Sequence, residues 1–503
     1  VFCPKCYHTP LGASGTAGSG NPRYRCSACG YRTTQPLKAL PEDSGPVSNV
    51  NLKAKRLVIT SAQNATPIHK KFLATLRVYC EHNDAELVVL PYRYRNPTSI
   101  WSSRQENEEW WDSNIVPYLC NERKDLNQNL MLLGDLNITP TAARPLSSLD
   151  GLTGARSGIV GFPKIELKTV ATPSHRLPKL MMSTGAVTRK NYTDSKAGKK
   201  GEFHHTFGAL TVEIKNSKIF HVRQLVATKA GHFMDLDKSY TDKGVSDIRI
   251  SGLVMGDTHV DSVCPKVHKA TFGPGGILDV LRPKHLYWND LLDWYCKNRH
   301  HEGNPFKDVA KYYSGRDDVF GEVDRACQYL SDHTPRGVTS YVVPSNHNDG
   351  AYKWLCRADW RDDPQNAEAY LELALATVRA HKNGEDYLDP FTYWAERRVK
   401  KKGIKYPRRN DPLSLHGIEV LHGDIGSNGA RGSIGNLSKI GVKSFIAHSH
   451  TPGIQDGCWQ VGTSTVLNLE YNNGPSSWLN THGIIYPNGK RALLNIIDGS
   501  WRL

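Results

Sequence analysis

Five short apolar runs in the second half of the chain each end on a metal-ligating side chain, and no other feature of the sequence constrains the fold as tightly. Asp257-Thr258-His259 follows residues 252–255 (GLVM), Asp290 follows 285–288 (HLYW), and Asn346-His347 follows 340–343 (SYVV). His422 follows 418–421 (IEVL), and His448-Ser449-His450 follows 443–447 (KSFIA). Runs this short and apolar predict buried strands, and polar groups at the ends of buried strands are where α/β proteins build their sites. Carboxylate oxygen and imidazole nitrogen together suit Mn²⁺, Fe or Zn²⁺, and this many ligands is enough for two ions. Two cations about 3.5–4 Å apart would clamp the attacking and leaving oxygens of a phosphoester displacement.

In this order the residues resemble the calcineurin-like metallophosphoesterase superfamily, whose pattern runs DxH, GDxxD, GNH before an acid, a lone His, and GHxH. A single DxH or HxH occurs by chance, but five such elements in sequence, each after a strand, do not. The resemblance spans residues 246–503 and implies an αββα sandwich, two sheets packed between helices with metals at the strand ends. It further implies that Asp257, His259 and His450 hold a first metal, that Asn346, His422 and His448 hold a second, and that Asp290 bridges them. A water shared by the ions would become hydroxide near neutral pH and attack phosphorus, with His347 beside the leaving oxygen. Mn²⁺ is the expected ion, again by resemblance to nucleases of the family. Asn289, Ser345 and Ala447 stand where the family has glycine, and Asn348 where an acid follows the His. Asp349 is the substitute expected to orient His347.

A second metal is expected at the start of the chain. Cys3-Pro-Lys-Cys6 and Cys26-Ser-Ala-Cys29 form two CxxC knuckles that would close a tetrahedral, structural Zn²⁺ site. Residues 1–34 have too few large apolar groups for a core, so metal binding would supply their order. The stretch 21–32, NPRYRCSACGYR, resembles zinc ribbons, and its Arg23, Arg25 and Arg32 are candidate phosphate contacts. The other seven cysteines are scattered singly, a reducing-compartment pattern.

Between ribbon and metal-ligand region lie a linker at 35–52, rich in Pro, Ser and Asp, and an α/β region at 53–245. The latter alternates strand-like runs (56–60, 86–90, 130–133, 210–214, 219–226) with an amphipathic helix over 69–82. Residues 189–205, RKNYTDSKAGKKGEFHH, predict a mobile basic loop. Residues 366–382 predict a helix stopped by Asn383-Gly384.

Charge decides among phosphoesters. Lysine and arginine total 64 against 49 acids, a net +15 that favours a long polyanion over a small nucleotide. Residues 397–409, RRVKKKGIKYPRR, concentrate that charge, with Lys400, Lys401, Lys402, Arg408 and Arg409 as candidate DNA contacts. The expected activity is therefore a two-metal DNA nuclease, and the ribbon, middle region and metal set together resemble the first-step-transfer DNases with which large tailed phages degrade host DNA. A phosphatase or nucleotide phosphodiesterase, and a non-catalytic DNA-binding scaffold with a degenerate site, are the competing classes. No apolar run approaches the roughly 18 residues of a membrane span, and the start lacks the basic and apolar regions of a secretory signal. A cytoplasmic protein is expected, acting in the bacterial host cytoplasm if phage-encoded, with DNA as partner, no membrane partner, and self-association left open.

Overall fold

The computed structural model describes residues 3–5, 11–36, 50–101, 110–470 and 472–503. Cys6 and residues 37–49 of the linker lie outside the described residues. The chain divides into two compact units, one formed by Val1–Ile248, Pro475–Ser477 and Lys490–Leu503, the other by Arg249–Gly474 and Trp478–Gly489. No helix among the described residues is long and apolar enough to cross a membrane.

The first unit opens with a three-stranded sheet, Leu11–Thr16, Pro22–Cys26 and Arg32–Thr33, that carries the cysteines. The α/β part then begins as a βαβ turn. Strand Arg56–Gln63 is almost wholly buried, as a run of Leu, Val, Ile and Thr dictates, and pairs in parallel with Glu86–Tyr92. Helix Lys70–Asn83 joins them, capped by the His69 ring, which accepts from the Phe72 amide, and ended by Asp84 in left-handed backbone. Its Phe72, Leu76 and Tyr79 enter a core closed by Phe233 and Tyr240. Strands Gly208–Ile214 and Phe220–Val226 complete that sheet.

The basic segment 189–205 is not a loop throughout: residues Lys196–His204 are helical. Ser195 caps the helix, and Gly198 and Gly201 lie on its inner side, where a Cβ would collide with the Thr193 carbonyl and the Tyr192 ring. The two glycines that suggested mobility are thus there to let the helix approach closely.

Arg223 is a heavily paired buried charge of this unit. Its guanidinium donates to Glu213 at 3.0 and 3.1 Å and to Asp235 at 2.8 Å twice, and the Tyr79 hydroxyl donates to Asp235 at 2.8 Å. The Leu503 amide donates to Glu213 at 3.0 Å, which ties that residue to the same cluster. Burial would raise the Glu213 carboxyl, but Arg223 outweighs it and holds it below its usual value.

The second unit contains two sheets. One runs Ile404–Lys405, Thr339–Val342, His285–Trp288, Gly252–Val254, Thr481–Ile485, the first four parallel and the last antiparallel. The other runs Ser414–Leu415, Ile418–Val420, Lys443–Ile446, Cys458–Gln460, Gly453–Gln455. They meet where Gly483 lies under the Phe445 ring, a contact that a Cβ at 2.5 Å would forbid. Parallel pairing sends the C-terminal ends of 252–254, 285–288 and 339–342 to one edge, so the sequence positions after each strand become neighbours. The helix expected over 366–382 is present as Ala367–Lys382.

Arg223→Met should therefore destabilise the protein by about 3–5 kcal/mol, because Glu213 and Asp235 would stay buried without their counter-charge. A lower urea midpoint at pH 7 checks this; an unchanged midpoint would show that the cluster contributes nothing.

Candidate metal centre

Each ligand position follows a strand, and the loops that carry them are laced together through their backbones. The Thr258 and His259 amides donate to the carbonyls of Asn289 and Asp290, at 3.0 and 2.6 Å, joining the first two loops. The Ala447 amide donates to the His422 carbonyl at 2.8 Å, joining the last two. His259, Asp290, His448 and His450 have φ of 42°, 41°, 68° and 59°, left-handed backbone that costs side chains of this size about 1–3 kcal/mol each. Four non-glycine residues kept in such a conformation on neighbouring loops make this a candidate site.

The side chains converge. Asp257, His259 and His450 form one group whose ligating atoms lie within 4.8 Å of one another; His259, Asp290 and His347 form a second, and Asp257, Asp290 and His422 a third. His259 Nε2 faces His450 Nε2 at 3.1 Å, and His450 Nε2 lies 3.1 Å from Asp257. His422 Nε2 lies 3.1 Å from Asp290 and 3.0 Å from Asn346 Oδ1. His448 stands farther out, in none of the three groups, with its ring edge-on to His422 at 5.2 Å.

The donor set fits cations. Both oxygens of Asp257, one of Asp290, and Nδ1 of His422 and His450 are buried without a well-aligned hydrogen bond. Burial would raise the Asp290 carboxyl, but His422, His347 and His259 outweigh it and hold it well below the usual range. Conversely burial would lower His259, yet the hydrogen bond to Asp293 and the charges of Asp293, Asp290 and Asp257 raise it to about 9. Burial would likewise lower His422, which Asp290 and Asp257 raise to about 9. These carboxylates call for positive charge at one buried point, from imidazole or from a bound cation.

The positions that depart from the family text are accommodated locally. Asn289 donates to the Met255 carbonyl at 2.9 Å, and Ser345 caps helix Asn346–Leu355. Asp349 does not orient His347: it accepts from Tyr387 at 2.6 Å and Arg409 at 2.9 Å. His347 Nδ1 instead donates to the main-chain carbonyl of Asp293 at 2.5 Å, which fixes the proton on that nitrogen. Asn348, standing in place of the acid, donates to Asp389.

Other residues at the site stand outside the ligand set expected from the sequence. Asp293 lies 3.4 Å from His259 Nδ1, accepts from Ser262 and is 3.7 Å from Arg316; its place three residues after Asp290 was the clue. Trp478 stacks edge-on to His450 at 4.0 Å. Beside His347 and His448 opens a cavity of roughly 720 Å³ whose lining includes Arg299, Lys353, Arg357 and Arg431, all exposed cations taken from three distant segments. A second cavity, roughly 1040 Å³, extends past His450 and Trp478.

The candidate DNA contacts are placed unequally. Arg408 and Arg409 follow strand Ile404–Lys405 and so lie at the ligand end of its sheet, where Arg409 is held between Asp424 and Asp349. Lys400, Lys401 and Lys402 precede that strand and enter from the opposite end, Lys401 donating to the Ser331 carbonyl. In the first unit Arg23 is half-buried, whereas Arg25 and Arg32 are exposed and directly opposite across neighbouring strands.

Cys3, Cys26 and Cys29 form a fourth group of potential ligands, Cys3 and Cys29 having sulfurs 3.5 Å apart. The Lys5 amide points at Cys3 Sγ at 3.4 Å, and the Trp111 indole donates to the Cys29 carbonyl at 2.7 Å. Three buried thiols with an amide aimed at one of them fit a thiolate-bound ion.

Over 487 residues the chain is 32% identical to Protein A1 of Escherichia phage T5, covering 92% of this chain and 86% of that protein. No family profile and no solved structure matches it.

If Asp293 holds the His259 ring for metal binding, Asp293→Ala should weaken divalent-metal affinity about 10–100-fold. A Mn²⁺ titration by calorimetry reads this directly; wild-type affinity in the variant would remove Asp293 from the site.

Proposed function

The chain belongs to the family of Protein A1 of Escherichia phage T5, and on that premise we propose that it is a metal-dependent DNA nuclease of the calcineurin-like metallophosphoesterase type, phage-encoded and degrading host DNA in the bacterial cytoplasm. The observation that carries the reading is the meeting of two buried carboxylates, Asp257 and Asp290, with His259, His422 and His450, next to Asn346, His347 and His448, which line a cavity bearing exposed cations. The two sheets of the second unit and their flanking helices are read as an αββα sandwich.

Asp257, His259 and His450 would hold one divalent ion, Asn346, His422 and His448 the other, with Asp290 between; Mn²⁺ is the ion proposed, and Cys3, Cys6, Cys26 and Cys29 would hold a structural Zn²⁺. When bound, the pair of ions supplies Lewis-acid polarisation of the phosphate and activation of water at neutral pH. The chain's own residues do the rest. Asp293 orients His259. His347, with Nδ1 fixed on the Asp293 carbonyl, presents Nε2 toward the reacting phosphate, 3.8 Å from Asp290, and offsets charge on the departing oxygen by a proton held at Nε2. Arg299, Lys353, Arg357 and Arg431 would track the phosphates on either side of the scissile bond.

Two measurements test this. On linear and circular double-stranded DNA, cleavage should appear with Mn²⁺, vanish with chelator, and fall more than about 100-fold in His450→Ala and Asp290→Asn. Intact DNA under every metal tried would refute nuclease action, and turnover confined to small phosphoesters would move the assignment to a phosphatase. Replacing Lys353 and Arg357 together by Ala should raise KM for DNA roughly 10-fold and flatten its salt dependence, while bis(p-nitrophenyl) phosphate turnover stays unchanged. Equal losses on both substrates would mean that these cations support the site rather than the polymer.

A further inference from the structure

Arg409 occupies the connection between the two sheets of the second unit. It lies between Ile404–Lys405, the edge strand of one sheet, and Ser414–Leu415, the edge strand of the other. Its side chain is 28% exposed, against 79% for its neighbour Arg408. Nη1 donates to both oxygens of Asp424 at 3.0 and 3.1 Å, and Nη2 donates to Asp349 at 2.9 Å. One positive charge held between two carboxylates leaves this spot negative, which repels a phosphate instead of binding one.

The two carboxylates belong to different halves of the metal centre. Asp349 lies three residues after Asn346 on the Asn346–Leu355 helix, so the two share a face, and the same helix carries His347. That helix follows Thr339–Val342, a strand of the same sheet as Ile404–Lys405. Asp424 lies two residues after His422, which follows Ile418–Val420 of the other sheet. Asn346 and His422 thus approach one point from separate sheets, with His422 Nε2 lying 3.0 Å from Asn346 Oδ1. A planar guanidinium gripping a carboxylate on each side fixes their spacing more firmly than any single contact could. Asp349 is itself braced, since the Tyr387 hydroxyl donates to its other oxygen at 2.6 Å.

We propose that Arg409 is a positioning residue, a strap that ties the Asn346 helix to the His422 loop and so sets the distance between two ligands of the second ion. This role rests on the two-ion centre proposed above, and it does not depend on which phosphoester is cut. It also takes Arg409 out of the phosphate contacts that its place in a basic run suggests.

Arg409→Lys is the discriminating variant, because an ammonium keeps the charge but has no fork with which to span both carboxylates. In calorimetric titration with Mn²⁺ the wild type should bind two ions, and Arg409→Lys should lose about 10–100-fold in affinity for one of them while keeping the other. Asp349→Ala cuts the strap at its far end and should give the same split, which supplies the result if Arg409→Lys fails to fold. In Arg409→Gln, binding of double-stranded DNA in chelator should keep the wild-type salt dependence, whereas loss of a phosphate contact would lower the slope by about 1. Wild-type affinity for both ions in Arg409→Lys, equal losses at both, a fall confined to the urea midpoint, or a lowered salt slope in Arg409→Gln would each overturn the strap and leave the centre standing. A wild type that binds fewer than two Mn²⁺ would overturn both.

Discussion

Everything at the candidate metal centre follows from the cost of holding Asp257 and Asp290 buried side by side. Two carboxylates in a low-dielectric pocket repel each other and lose their hydration, and neither can persist ionised without concentrated positive charge. Imidazoles answer part of that demand: against the effect of burial, Asp290 and Asp257 raise His422 to about 9, and Asp293 first, with Asp290 and Asp257 adding to it, raises His259 to about 9. The Asp257 and Asp290 oxygens still lacking hydrogen bonds lie where further cations would belong. The left-handed backbone at His259, Asp290, His448 and His450 belongs to the same account, since the loops bend sharply to aim their side chains inward. The strain is borne by the interlaced loop amides and by the rigid strands behind them.

The first unit solves a different problem by related means. Its small cysteine-bearing sheet has almost no core of its own, so Cys3, Cys26 and Cys29 share one cluster with Trp111, Ile115 and Leu119 of the α/β part. Farther along, Arg223 is buried yet satisfied by two carboxylates, and the Leu503 amide is bonded to one of them. Buried charge in this unit specifies packing, whereas in the other it prepares a site.

The ordered ligand set was legible because strand ends in a parallel sheet share one edge, so residues far apart in sequence but alike in position converge. Asp257, His259, Asp290, His347, His422 and His450 lie together, while His448, which the resemblance also counts among the ligands, stands in none of the three groups. What the sequence concealed was three-dimensional by nature. Arg299, Lys353, Arg357 and Arg431 form no run, so nothing marked them as one lining, whereas the conspicuous run at 400–402 enters its sheet from the other end. Segment 189–205 misled because glycine signals both flexibility and close packing, and only Tyr192 and Thr193 against Gly201 and Gly198 decide between them. The orienting partner of His347 is a main-chain carbonyl, invisible to any reading of side-chain types.

The central claim is that this chain holds two divalent ions sharing Asp290. Anomalous diffraction from crystals grown with Mn²⁺ tests it most directly. The account predicts two peaks about 3.5–4 Å apart on either side of the Asp290 carboxylate, one beside Asp257, His259 and His450, the other beside Asn346, His422 and His448. A single peak, or an ordered pocket with no peak at saturating Mn²⁺, would contradict it.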